Sequence, residues 1–127
     1  MMTDTSINRA HADVRFLDDV ARFPRPFAVT IMNHSASVCR VRPVALKGDR
    51  RFKHLVEARA VAVWSICGFR PDLSYAQIGR EMGGRDHSTI INLRRKAGIL
   101  IPRNPEFALL CLAVRREFES RGYKWLA

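Results

Sequence analysis

Asp86, His87, Ser88 and Thr89 put a carboxylate, an imidazole and two hydroxyls into consecutive positions, preceded by the guanidinium of Arg85. Asp, His and Ser are the residue types of a hydrolytic triad. Neighbours on a helix diverge by about 100° per residue, however, so three consecutive side chains cannot converge on one reacting atom. An enzyme is therefore not expected. As a helix capped by Asp86, the run RDHSTIINLRRKA turns Ile90, Leu93 and Ala97 to one side. His87, Ser88, Asn92 and Arg95 fall on the opposite side, and Ile91 lies between the two groups. The outward set matches the edges of base pairs. Asn pairs bidentately with adenine and Arg with guanine, while Asp accepts from cytosine. Ser88 and the methyl group of Thr89 suit a thymine. Arg94, Arg95 and Lys96 continue the helix with cations suited to phosphates.

Such a face needs a neighbouring helix to present it. Ser74 is an N-cap candidate with Gln77 at the capping-box position, and the helix that follows carries Ala76, Ile78 and Met82. It meets the pair Gly83-Gly84, where a tight turn with positive φ is free of a Cβ clash. Two helices joined in this way have the shape of a helix-turn-helix. Upstream, Leu55 to Cys67 reads as a helix with Val56, Ala60, Val63 and Cys67 on one face, stopped by Gly68 and Pro71. Before it, Lys47, Arg50, Arg51 and Lys53 make a basic loop interrupted by Asp49, following a short helix from Pro43 that Gly48 ends. Phe27 to Val41 admits either a strand, from FAVTI, or a helix, from Ile31, Ala36, Val38 and Cys39. After Pro105, the residues Phe107, Leu110, Cys111, Val114 and Phe118 form an apolar helical stripe. Ala10 to Phe23 reads as a further short helix after a loose start, and Pro24 and Pro26 mark a linker. The expected fold class is all-α.

Composition narrows the partner. The 127 residues are 47% hydrophobic, enough for a core, and carry 22 Lys and Arg against 12 Asp and Glu, a formal charge of +10. Self-repulsion on that scale in a small domain points to an acidic partner: nucleic acid, an anionic membrane or an acidic protein. Ala58 to Cys67 is too short to span a bilayer, so no membrane role is expected. MMTDTSINRAHADVRF lacks the basic start and apolar run of a signal peptide, which gives a cytoplasmic expectation. Cys39, Cys67 and Cys111 form no CxxC pair and have no ligand spacing with the four histidines, so neither metal nor cofactor is expected. Trp64 and Trp125 are expected in core and tail packing.

Leu73 to Ala97, LSYAQIGREMGGRDHSTIINLRRKA, resembles the signature of the C-terminal DNA-binding domain of the bacterial replication initiator DnaA. GGRDHST is the specific part. With looser identity the resemblance extends from about Ala28 to Gly122, leaving 1–27 as an extension and 123–127 as a tail. It implies a small helical, Trp-repressor-like domain that reads short A/T-rich boxes in double-stranded DNA. By resemblance, Arg85, Asp86, His87 and Ser88 contact bases or adjacent phosphates, joined on the reading face by Asn92. Thr89, Arg95 and Lys96 lie at the DNA surface. Arg50, Arg51, Lys53 and Arg59 grip phosphates or the minor groove.

Four positions depart from the pattern. Glu57 falls where the family has its minor-groove arginine and Ala58 where a proline follows it, Ser88 where threonine is usual, and Asn92 where histidine is common. The box read is therefore expected to differ from the initiator's own. The chain also holds no GxxxxGK[ST] phosphate loop and no room for the initiator's ATPase module, so ATP-driven melting by it alone is not expected. A DNA grip without a motor acts by occupying a site, recruiting or displacing. The expected role is a bacterial transcription regulator, of the kind that resembles activators of prophage-like and gene-transfer-agent clusters. It would need a protein partner such as RNA polymerase or a sigma-like factor, reached through residues 1–27 or the last helix. The alternatives are a replication-control protein that binds initiator boxes, and a nonspecific nucleoid-type or RNA binder.

Overall fold

The computed structural model describes residues 24–127, and these form six helices. They are α1 (Ala28–Val38), α2 (Pro43–Lys47), α3 (Lys53–Phe69), α4 (Tyr75–Glu81), α5 (His87–Leu100) and α6 (Pro105–Ser120). The helix read at Ala10 to Phe23 lies outside the described residues.

Local chemistry starts most of these helices. Pro43 and Pro105 open α2 and α6, where a missing N–H costs nothing. Asn104 caps α6 by accepting from the Phe107 amide at 3.1 Å. Ser74 caps α4 reciprocally with Gln77: the Gln77 amide donates to Ser74 Oγ at 3.1 Å, and the Ser74 amide donates to Gln77 Oε1 at 2.7 Å. The ambiguous stretch from Phe27 resolves as α1, because Ala28, Ile31, Met32, Ser35 and Ala36 bury one helical face. It ends at Arg40, whose φ of 59° lets the Val41 amide donate back to the Ala36 carbonyl at 2.9 Å.

Helix α3 is the hub, packed against α1, α5 and α6. Ala60, Val63 and Cys67 of the expected face are buried and Val56 is half-buried, and Ala58, Val61, Ala62, Ile66 and Phe69 are buried as well, so nearly the whole circumference is covered. The helix also runs through Gly68. A Cβ at Gly68 would lie 2.0 Å from the Trp125 ring, so this glycine makes room for a tryptophan and does not end the helix. Trp125 packs on Trp64 at 4.5 Å and on Phe69 at 5.1 Å, and the Leu126 amide donates to the Gly68 carbonyl at 2.8 Å. The C-terminal tail is thereby fastened to the hub, as the tryptophans suggested. The stripe of α6 buries Phe107, Cys111, Val114 and Phe118 in the same core, with Leu110 half-buried. Burial pushes the Cys111 thiol up to about 12. No single helix among the described residues is long and apolar enough to cross a membrane.

Candidate nucleic-acid interface

Helices α4 and α5 cross at a turn that only small residues permit. Gly83 and Gly84 have φ of 80° and 78°, the left-handed region that disfavours a Cβ. The amides of Gly84 and Arg85 both donate to the Gly79 carbonyl, at 3.0 and 2.9 Å. A Cβ at Gly83 would sit 2.4 Å from the Lys47 carbonyl oxygen, so α2 presses directly on the turn.

Asp86 caps α5 as expected, accepting from the Ser88 amide at 3.1 Å. It also takes a short hydrogen bond from the Ser88 hydroxyl. The hydroxyl and amide of Ser88, followed by the charge of His87, hold the Asp86 carboxyl below the usual carboxylate range. Because the Ser88 hydroxyl proton is engaged, its lone pairs remain to accept from a base amine. Ile90, Leu93 and Ala97 are buried, whereas His87, Ser88, Thr89, Asn92 and Arg95 are exposed. The helix continues three residues past Ala97, to Leu100. Arg94 is tied down by a short bond to the Tyr75 hydroxyl.

An open cleft of about 710 Å³ separates α5 from the basic segment. Lys47, Asp49 and Arg51 line it on one side, and Thr89, Asn92 and Lys96 on the other. Of the expected loop cations, Lys47 closes α2 and Lys53 opens α3, which leaves Arg50 and Arg51 in the connection itself. All four are exposed.

Arg59 and Arg85 differ from these four in spending donors on backbone carbonyls. Arg59 is only 3% exposed. Its guanidinium donates to the carbonyls of Leu46 at 3.0 Å, Ala45 at 2.9 Å and Gly48 at 3.0 Å. Those carbonyls lie at the end of α2, where the helix itself supplies few donors. Arg85 is half-buried and donates to Leu46 at 2.9 Å, to Met82 at 2.6 Å and to Gly48. In this arrangement one arginine is a buried strut and the other a clamp, and both line the floor of the cleft. Burial, then the charges of Arg85 and Arg51, push the pKa of Arg59 down. Crowded guanidiniums under the cleft favour an anion above them. The sequence reading passed over Phe52, which is 53% exposed within the basic segment. An aromatic residue inside the run RRFK was the available signal. Glu57 is half-buried on α3. Among the described residues no three His, Cys, Asp or Glu side chains are placed to hold a metal.

A capped helix with an exposed polar N-terminal turn, crossing a shorter helix at a glycine pair beside a basic cleft, defines a helix-turn-helix DNA-binding domain. Residues 29–97 match the family described as the bacterial DnaA protein helix-turn-helix, and the chain belongs to that family. The chromosomal replication initiator protein DnaA of Sphingopyxis alaskensis is 32% identical over 122 residues, covering 94% of this chain and 26% of the relative. That of Citrifermentans bemidjiense is 37% identical over 78 residues, covering 61% and 17%. That of Spiroplasma citri is 35% identical over 77 residues, covering 61% and 17%. The chain thus spans about a quarter or less of the length of these relatives.

Proposed function

We propose that this domain reads a short box of double-stranded DNA with the first turns of α5 and acts on that box as a site-specific transcription regulator. One observation carries the reading. His87, Ser88, Thr89 and Asn92 are exposed on the capped end of α5, beside a cleft flanked by Lys47, Arg51 and Lys96. The polar end suits the major groove, and the cleft suits the phosphate strand that borders it. Asp86, His87, Ser88 and Asn92 are the base readers in this proposal. Arg50, Arg51, Lys53, Thr89, Arg95 and Lys96 hold the backbone, and Arg59 and Arg85 position them.

Ser88 and Asn92 depart from the residues usual in the family, which supports a box distinct from the initiator's and hence a separate set of sites. The test is selection of bound duplexes from a random library at near-physiological salt, followed by mapping of occupied sites in cells. Enrichment of one box near promoters, with altered transcripts on deletion, is expected. Occupancy without promoter enrichment or transcript change overturns the regulatory role. A specific-to-nonspecific affinity ratio near one overturns box reading altogether and leaves a general nucleoid-type binder.

Similarity to replication initiators over residues 29–97 favours a second reading, in which the protein competes for origin boxes. That reading expects an affinity for initiator boxes close to the initiator's own, and a competition assay decides it.

A further inference from the structure

We propose that Phe52 is a wedge that enters the minor groove beside the box, partly unstacks one base step and kinks the duplex there. The inference rests on the duplex reading above. If α5 lies in the major groove and the bordering phosphate strand lies in the cleft, the basic segment on the far side of that strand faces the neighbouring minor groove. Arg51 lines the cleft from this side, and Phe52 is the next residue. Phe52 is 53% exposed and absent from the buried core, although it occupies the N-cap position of the hub helix α3.

The ring is also held in place. The Arg50 guanidinium sits 5.8 Å from its centroid, and the His54 ring lies 5.9 Å away and nearly parallel, at 7°. Arg50, Arg51, Lys53 and His54, its neighbours in sequence, are all exposed. A phenyl group beside a guanidinium, with Arg51 and Lys53 adjoining in sequence, suits a surface that offers both phosphates and an apolar interior. A stack of base pairs opened from the minor groove offers both, and phenylalanine is a known wedge for such a step. Cations on either side would neutralise the phosphates that flank the opened step. The flexible pyrimidine–purine steps yield most readily, so the wedge adds a preference at a position α5 does not touch.

The test uses the full chain and the duplex box selected as above, labelled at both ends for energy transfer and carrying 2-aminopurine at successive flanking positions. Wild type is expected to bend the box, by about 20–90°, and to brighten 2-aminopurine at one step. Phe52→Ala is expected to bind about tenfold more weakly with the same base preference at the positions α5 reads, and to lose both signals. Phe52→Leu is expected to retain part of each. Phe52 contributes no core packing, so matching thermal melts of the variants establish that each is folded. A straight, dark wild-type complex, or bending and brightening that survive in Phe52→Ala, overturns the wedge while leaving box reading intact. If selection yields no box, the duplex reading fails, and the wedge falls with it.

Discussion

Arg59 and Arg85 donate to the same two carbonyl oxygens, those of Leu46 and Gly48, although 26 positions separate them in sequence (85 − 59). One arginine rises from the hub helix α3 and the other leaves the glycine turn between α4 and α5. Between them they fix the end of α2, and with it the basic segment, to the base of the reading helix. The distance between the basic segment and α5 is therefore set by hydrogen bonds to backbone, which tolerate little variation in length.

Removing the buried strut should loosen that spacing. Arg59→Ala removes the three hydrogen bonds to Ala45, Leu46 and Gly48 and the buried stem that carries them, and is expected to cost about 2–4 kcal/mol of folding stability. Arg59→Lys, which carries its charge as a point and lacks the planar fork, should recover only part of the loss. Urea midpoints at constant slope provide the check, and an unchanged midpoint for Arg59→Ala contradicts the strut.

The two turn glycines should differ although their φ values nearly coincide. Gly84 faces open space, so Gly84→Ala meets only the backbone penalty of the left-handed region, about 1–2 kcal/mol. Gly83→Ala meets that penalty and a Cβ 2.4 Å from the Lys47 oxygen, and should cost about 3 kcal/mol or more. Thermal or urea unfolding of the pair measures the difference. Gly84→Ala should keep its DNA box, whereas equal costs would mean that α2 does not press on the turn.

Acid should weaken the start of α5. The Asp86 carboxyl lies below its usual range in the folded chain, chiefly because the Ser88 hydroxyl and amide donate to it. A depressed folded pKa stabilises the protein above the unfolded value, about 3.9 for Asp, and that contribution is lost as pH falls through the lower folded value. Asn is also a good N-cap but does not titrate in this range. Stability curves of wild type and Asp86→Asn should therefore converge below about pH 4 relative to their separation at neutral pH. Parallel acid limbs would show that the cap does not titrate.

Reading and gripping should separate in binding data. His87→Ala or Ser88→Ala should cost about 1–3 kcal/mol on the box and relax its sequence preference. Arg51→Ala or Lys53→Ala should weaken all sequences alike and reduce the salt slope by about one. Titrations against matched and scrambled duplexes at several salt concentrations measure both effects. If the two pairs behaved alike, the division of labour between α5 and the basic segment would be wrong.

The reading helix was legible in the sequence because its determinants are local. Asp86 supplies the cap two residues from the amide it accepts, and the spacing of Ile90, Leu93 and Ala97 alone sets which side faces the core. The same holds for the capping box at Ser74 and the glycine pair. What stayed hidden depends on contacts between distant segments. An arginine beside a basic loop reads as a phosphate contact until the fold brings the α2 carbonyls to it, 11 to 14 positions away for Arg59 and 37 to 39 for Arg85. Gly68 read as a stop signal because nothing local shows that Trp125 returns to fill its missing side chain. The burial of α3 beyond the face of Val56, Ala60, Val63 and Cys67 was not legible, because a hub covered by three helices has apolar residues all round and periodicity cannot count its neighbours. The sequence by itself determined the helices from Pro43 onward, the family and which side of α5 faces solvent. Only the tertiary structure decided which basic residues face solvent and which support the backbone, because charge is a property of the residue whereas exposure belongs to the packed chain.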